Sequence, residues 1–465
     1  MTRTKILATI GPASRDKIME MVGVGLDGVR FNMSHIKSED YSSLKSFIDK
    51  IRNEHEDLFF VGDLQGPKIR LGNFGSRPVK TGDEISIAPE NDFSNYEIPV
   101  QLNDLYKHVS LGNLLLIDDG NVGLRIKDIQ NKKIKCIVEY GDILEARKGV
   151  NIPDVSIPME YLSEKDKRDL EFLVSNKFNY VSASYARTAD DIKQVRQFAG
   201  NNISIIGKPE NHEGNKNLRE IIKYVDVMMV PRGDYGMEMG VENVPAFQKR
   251  LIEWCNVAGK PVITATQMLE SMMNCKEPKR AEVSDVYNAV LDGSDVVMLS
   301  GETSIGKYPV ETVRMMNKIL EKAEEYLFDK TSGVDLGGKI NRLVKQENVT
   351  DVISKAVYSA SKSDNIKAVI VPTNHGTTAR MISRFRLEKP IIAVCHDDYV
   401  KRSLNAVWGV VPLLTENKDE RYVVEDSINV AKQNGYVKSG DKAIVTAGTG
   451  SYEKGSTNLM RIERA

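Results

Sequence analysis

Histidine is scarce in this chain and cysteine scarcer, six and four among 465 residues. Cys136, Cys255, Cys275 and Cys395 lie far apart, with no CxxC pair and no His/Cys cluster. That argues against a zinc site and a disulfide framework, and fits a reducing compartment, so a cytoplasmic protein is expected. No apolar run approaches the ~20 residues of a membrane span. The opening MTRTKILATIGPAS has too short an apolar run for a signal peptide. Charge is nearly balanced, 64 Lys+Arg against 65 Asp+Glu, for a net −1. Nothing therefore suggests a nucleic-acid footprint or an anionic-membrane surface, and any basic site must be local. Short-period repeats and low-complexity tracts are missing as well.

What is present is length enough for about three domains of ordinary size. Short β-branched runs alternate with longer amphipathic ones. Residues 5–10, 28–33 and 59–64 read as strands, with helices over 15–23, capped by Ser14, and over 40–54. The rhythm then breaks. Residues 67–153 hold short strand-like runs (84–88, 114–117, 134–138) punctuated by Gly, Asn and Asp, the pattern of a small all-β module. Alternation resumes with strands at 180–185, 203–208, 226–232, 261–266 and 295–300. Helices are expected at 164–176, 189–199, 217–225, 246–258, 282–291 and 309–327. Eight strand–helix units with apolar strands favour a closed (β/α)8 TIM barrel over an open doubly wound sheet.

The expected domains are a catalytic barrel (1–66 plus 154–330), an inserted small β-barrel lid after strand three (67–153), and a C-terminal α/β parallel-sheet domain (331–465). A glycine-rich linker is expected at 330–343. Beyond it, helices at 349–361 and 377–386 and strands at 368–373, 391–396, 410–414 and 443–448 are expected.

Barrel function collects at the C-terminal ends of the strands. Those ends deliver Thr9 and Pro12; Arg30, Asn32 and Ser34; Asp63 with Arg70 beyond; and Lys208 with Glu210. Later ends deliver Arg232, Gly233 and Asp234; Thr264, Thr266 and Gln267; and Ser300, Gly301 and Glu302. Glu210, Asp234 and Lys208, from successive strand tips, could hold a divalent metal together with an anionic substrate, an arrangement Mg²⁺ prefers. Amides near Gly233 and Asp234, at a helix start, favour an anion. Asn32 and Ser34 alternate to one side and could share a ligand with Asp63. The set has no serine–histidine pair, no thiol nucleophile and no metal-binding histidines. It suits phosphoryl chemistry, where positioning and charge neutralisation do the work.

The segments TKILATIGPAS, VRFNMSH, GDLQGPKIR, KGVNIP, GKPENHEG, PRGDYGME, KPVITATQMLESM and RAEVSDVYNAVLDGSDVVMLSGETS together resemble the pyruvate kinase family. The resemblance runs in order along the whole chain. It implies transfer of the phosphoryl group of phosphoenolpyruvate to ADP. Residue by residue, it implies Glu210 and Asp234 as Mg²⁺ ligands (Mn²⁺ as substitute). Lys208 and Arg30 would act on the phosphoryl group, and Gly233, Asp234 and Thr266 would touch the substrate, with Thr266 at the start of the enolate-protonation network. Asn32, His35, Arg70 and Lys148 match nucleotide contacts. A homotetramer is also implied.

Three departures from the family pattern stand out. Where K⁺-requiring members read Asp-Thr-Lys-Gly-Pro-Glu, this chain reads Asp63-Leu64-Gln65-Gly66-Pro67-Lys68. The set Asn32, Ser34 and Asp63 is then the remnant of a monovalent-cation site, with the Lys68 ammonium standing in for K⁺, and K⁺ independence is expected. Pro209 and Pro231 each remove a backbone N–H, and Ile36 replaces a glycine after His35. In the C-terminal domain, residues 372–380 (PTNHGTTAR) could hold the phosphate of an effector. Residues 448–458 (GTGSYEKGSTN) would form its flexible partner. Rival readings are a Mg²⁺-dependent barrel doing carbon–carbon chemistry on pyruvate enolates, and a catalytically silent ligand sensor. The first lacks an ADP-binding set. The second predicts loss of Lys208, Glu210, Asp234 or Thr266, and all four are present.

Overall fold

The computed structural model describes residues 2–153, 155–344, 348–417, 423–448 and 457–465. Eight parallel strands close into a barrel: Lys5–Thr9, Gly28–Asn32, Phe59–Asp63, Tyr180–Ala183, Ser204–Gly207, Val227–Pro231, Val262–Ala265 and Val296–Leu299. Neighbours in sequence are neighbours in the ring, and the first strand pairs with the eighth through Lys5↔Val296 to Ala8↔Leu299. All eight predicted strands are present, and the ring is closed.

Closure follows from two buried faces. Leu7, Phe59, Val61, Tyr180, Ile206, Met229, Ile263 and Met298 fill the interior. Alternate residues such as Ile6, Ala8, Val29 and Phe60 pack outward against the helices. The helices start where side chains satisfy their free amides. Ser163 and Thr188 accept from the N–H groups of Asp166 and Asp191 at 3.1 and 3.3 Å, opening Glu164–Ser175 and Ala189–Ala199.

The insertion after the third strand forms a seven-stranded sheet, with Ile69–Arg70 and Ile98–Val100 as its edges. A Leu71↔Val100 bridge brings those edges together, so the sheet curls on itself around its own core. The C-terminal sheet has five strands, in the order Val410–Leu414, Ile391–Cys395, Ile366–Thr373, Lys442–Ala447, Leu459–Arg464. It is not wholly parallel: Leu459–Arg464 runs antiparallel to Lys442–Ala447. A short return of the chain suffices for an antiparallel neighbour, whereas a parallel one needs a crossover helix.

Other expectations need correction. Ser14 does not cap a helix over 15–23. The helix is only Ile18–Val22, and the Ser14 hydroxyl instead accepts from the Gly11 N–H at 3.2 Å. The expected linker contains the helix Leu336–Leu343, capped by Asp335, which accepts from the Gly338 N–H at 2.8 Å. Its glycines serve packing, since a Cβ at Gly337 would lie 2.4 Å from the Tyr358 ring. The helix expected over 217–225 is present as Leu218–Tyr224, and a short helix that was not expected, His212–Lys216, precedes it. The helix expected over 377–386 ends at Ser383.

The N-terminal mouth of the barrel is plugged by the C-terminal domain. Ala406 shares the interior core, its N–H donates to the Tyr180 hydroxyl at 3.1 Å, and Asn179 donates to the Arg402 carbonyl at 3.1 Å. Buried Arg386 and the Trp408 N–H both donate to Asp295, at the foot of the eighth strand. Replacing Tyr180 with phenylalanine strands a buried amide. Chemical denaturation of Tyr180→Phe should show a loss of about 1–3 kcal/mol.

Candidate active site

The opposite mouth carries the charged residues. Strands two and three align Arg30 with Val61 and Asn32 with Asp63, and strand four sets Ser182 beside Asp63. Asp63 is 2% exposed and lies among three donors. Arg30 Nε reaches its Oδ2 at 2.8 Å, Lys208 Nζ reaches Oδ1 at 3.2 Å, and the Ser184 hydroxyl lies 3.1 Å from Oδ1. Burial opposes its charge, but Lys208 and Arg30 outweigh that and hold the carboxyl below the usual range.

Lys208 is the hub. Its ammonium also meets Ser184 Oγ at 2.9 Å and Glu210 Oε1 at 3.0 Å. Burial pulls its pKa down, yet Asp63 and Glu210 prevail and push it up to about 12. A snorkelling surface lysine would not be caged in this way. Glu210, also 2% exposed, has its pKa pushed up to about 7 by burial, with Lys208 opposing and Asp234 adding like charge. Glu210 and Asp234 repel one another, and a cation between them would relieve that.

Asp234 lies in the first turn of the helix Arg232–Met239. Tyr185, which the sequence reading missed, ties both carboxylates. Its N–H donates to Glu210 Oε2 at 2.7 Å and its hydroxyl to Asp234 Oδ1 at 2.9 Å. Burial, then Asp234, raises the phenol far above its ordinary range, so it stays a donor. Among the described residues, no three His, Cys, Asp or Glu side chains gather as a ready metal cage. Two carboxylates tied to one residue do fit Mg²⁺, which keeps waters and substrate oxygens in its shell.

Lys68 is only 17% exposed and points at this pair. Its Nζ lies 3.7 Å from Asp234 Oδ1 and 3.5 Å from Asp119 Oδ1 of the inserted domain. Asn32 and Ser34 do not alternate along one strand. The strand ends at Asn32, and its Oδ1 caps the turn Met33–His35 by accepting from the Ser34 N–H at 3.2 Å.

Gly233 and Thr266 come together, the Gly233 N–H donating to Thr266 Oγ1 at 3.0 Å. Thr266 has φ 67°, rare for a β-branched residue, and Gln267 follows at φ 52°. Arg232 holds that turn. It donates to the carbonyls of Ala265 and Thr266 at 3.1 Å each, and is anchored by Asp285 at 2.7 Å. Gly66 (φ 68°) allows the third strand's exit to pass Ser184, whose carbonyl would be 2.5 Å from a Cβ.

The nucleotide candidates gather less tightly. Burial, then Arg70 and Arg30, lowers the His35 pKa, so its ring is neutral beside cations. Arg70 donates to the Arg147 carbonyl at 3.2 Å, and Lys148 pairs with Asp118 and Glu145 at 3.0 and 3.1 Å. Asp118 and Asp119, both missed in the sequence, stand at a tight turn of positive φ between two insert strands. Between the insert's return and the barrel lies a cavity of about 360 Å³ lined by Lys68, Asn151, Tyr185, Arg187 and Glu238. Residues 372–380 form a strand end and the helix start at Thr377. Most of their expected partner, 449–456, lies outside the described residues.

A (β/α)8 barrel with a β insertion after strand three and a caged lysine between carboxylates at its C-terminal mouth is an arrangement suited to a phosphotransferase. Comparison with known proteins supplies the family. Residues 1–313 match the family description "Pyruvate kinase, barrel domain" and residues 351–463 match "Pyruvate kinase, alpha/beta domain". The chain is 37% identical over 478 aligned residues to a pyruvate kinase of Clostridium acetobutylicum, covering 100% of this chain and 99% of that one. It is 36% identical over 482 residues to a pyruvate kinase of Clostridium perfringens, covering 100% of each. A pyruvate kinase of Thermococcus litoralis is 37% identical over 472 residues, covering 99% of this chain and 98% of its own. The chain belongs to the pyruvate kinase family.

Proposed function

We propose that the chain transfers the phosphoryl group of phosphoenolpyruvate to ADP, giving pyruvate and ATP, with Mg²⁺ and without K⁺. The observation that carries this reading is the Lys208 ammonium, buried between Asp63, Glu210 and Ser184 with Arg30 beside them. An ammonium with its pKa at about 12 stays charged, so it can meet phosphoryl oxygens and the enolate oxygen left when the P–O bond breaks. Arg30, held by Asp63 and by Thr9 Oγ1 at 2.9 Å, keeps its remaining N–H groups for the same phosphate. The new bond forms from an ADP β-phosphate oxygen, and the enolate carbon takes up a proton on the Thr266 side. Glu210 and Asp234 would hold the metal, which supplies charge neutralisation on the phosphoryl oxygens when bound.

Asn32, His35, Arg70 and Lys148 are assigned to the nucleotide. Residues 67–153 are assigned to a lid that excludes water, which the contacts of Lys68 with Asp234 and of Asn151 with Glu238, from insert to barrel, support. Oligomer contacts and a phosphorylated-effector site are assigned to residues 331–465, by resemblance to the family.

Lys68 supports K⁺ independence, because its ammonium supplies a fixed positive charge against Asp234. The test is lactate-dehydrogenase-coupled turnover of phosphoenolpyruvate and ADP with Mg²⁺, in Na⁺ buffer with and without K⁺. Pyruvate formation should be unchanged by K⁺, and absence of turnover in both buffers would sink the assignment. Lys68→Glu should become K⁺-stimulated by roughly tenfold, the effect of about 1.4 kcal/mol of charge neutralisation. A variant as indifferent to K⁺ as the parent would refute the role of Lys68.

A further inference from the structure

We propose that Tyr185 is a positioning residue for the metal-binding pair, its amide holding Glu210 and its hydroxyl holding Asp234. This rests on the reading that those two carboxylates bind a divalent cation. Tyr185 follows the fourth barrel strand, Tyr180–Ala183, and turns out of it at φ 54°. An extended residue there would keep its side chain in the alternation of the strand. Past the strand's end its N–H meets Glu210 Oε2 at 2.7 Å, while the turn at its Cα carries the ring toward the helix after the sixth strand, where the hydroxyl meets Asp234 Oδ1 at 2.9 Å. A bulky residue rarely adopts this conformation, and it persists where its surroundings enforce it.

Those surroundings are visible. The ring is 8% exposed, and the Lys68 ammonium lies 5.6 Å from its centroid. That ammonium is also 3.7 Å from the oxygen that the phenol holds. Hydroxyl and ammonium thus converge on Asp234 Oδ1 and fix the carboxylate's rotation. Glu210 and Asp234 come from different elements, Glu210 after the fifth strand and Asp234 in a helix after the sixth. Tyr185 bonds to both, and so sets the separation of the two donors before any cation arrives. Outer partners of this kind orient the ligands, and losing one weakens metal affinity by 10–100-fold.

Tyr185→Phe keeps the ring, the backbone turn and the contact with Lys68, and removes only the bond to Asp234. Mn²⁺ binding to the full chain without substrate, followed by electron paramagnetic resonance, should weaken by on the order of tenfold. The metal-dependence curve for turnover should move by the same factor, while the KM for phosphoenolpyruvate at saturating metal stays unchanged. A packing role alone would move neither the Mn²⁺ affinity nor that curve. Wild-type Mn²⁺ affinity in Tyr185→Phe would overturn the proposal and leave the metal reading standing. Failure of the wild type to bind Mn²⁺, or unimpaired binding by Asp234→Asn, would overturn both.

Discussion

Lys208→Met should lower kcat by on the order of 1,000-fold, with the chain still folded. Methionine keeps the length and apolar stem of the lysine but takes away the charge that meets Asp63, Glu210 and Ser184. Asp63 retains Arg30, so no isolated carboxylate is created there. Glu210 keeps the Tyr185 N–H and would face the divalent cation it is assigned to hold, so it is not left uncompensated either. The fold is thereby spared, while the transition state loses its nearest cation. Steady-state kinetics with circular dichroism checks this. A variant that kept more than about a tenth of parental kcat would show that Lys208 shapes the pocket without acting on the phosphoryl group.

Asp234→Asn should raise the half-saturating metal concentration by on the order of 100-fold, beyond the effect of Tyr185→Phe, because it removes a charged ligand directly. The substitution is isosteric, and the Tyr185 hydroxyl can still donate to the amide oxygen, so a folding defect is not expected. Titration of activity and of Mn²⁺ binding against metal concentration measures it. Both curves should shift together. A fall in maximal rate at unchanged metal affinity would assign Asp234 to the substrate alone.

The two substitutions probe one cluster that the sequence could only supply in pieces. Period and strand count were readable because each barrel strand is apolar on both faces, and the polar residues that interrupt them mark the mouth. Lys208, Glu210, Asp234 and Asp63 were legible for that reason: each stands at or just beyond the tip of a buried run. Ser184 and Tyr185 were not, since a serine and a tyrosine ending a strand read as ordinary strand residues. Nothing local signals that Tyr185 turns to φ 54°. Arg232 was seen as one more charge at a strand tip, and only packing turned its guanidinium back onto the carbonyls of the Thr266 turn.

The sequence by itself determined the eight-strand barrel, the site of the β insertion, the third domain and the kinds of residue at the charged mouth. Local periodicity and strand-end chemistry carry that information. The tertiary structure decided which charges meet, because those pairings join residues far apart in the chain. Asp63 is bonded to Lys208, Lys68 reaches both Asp119 and Asp234, and Arg386 reaches Asp295 to help plug the barrel's foot. It also decided that residues 336–343 are helical, where glycine propensity argued otherwise, because Asp335 caps the helix and its buried face packs so close to Tyr358 that only glycine fits at 337.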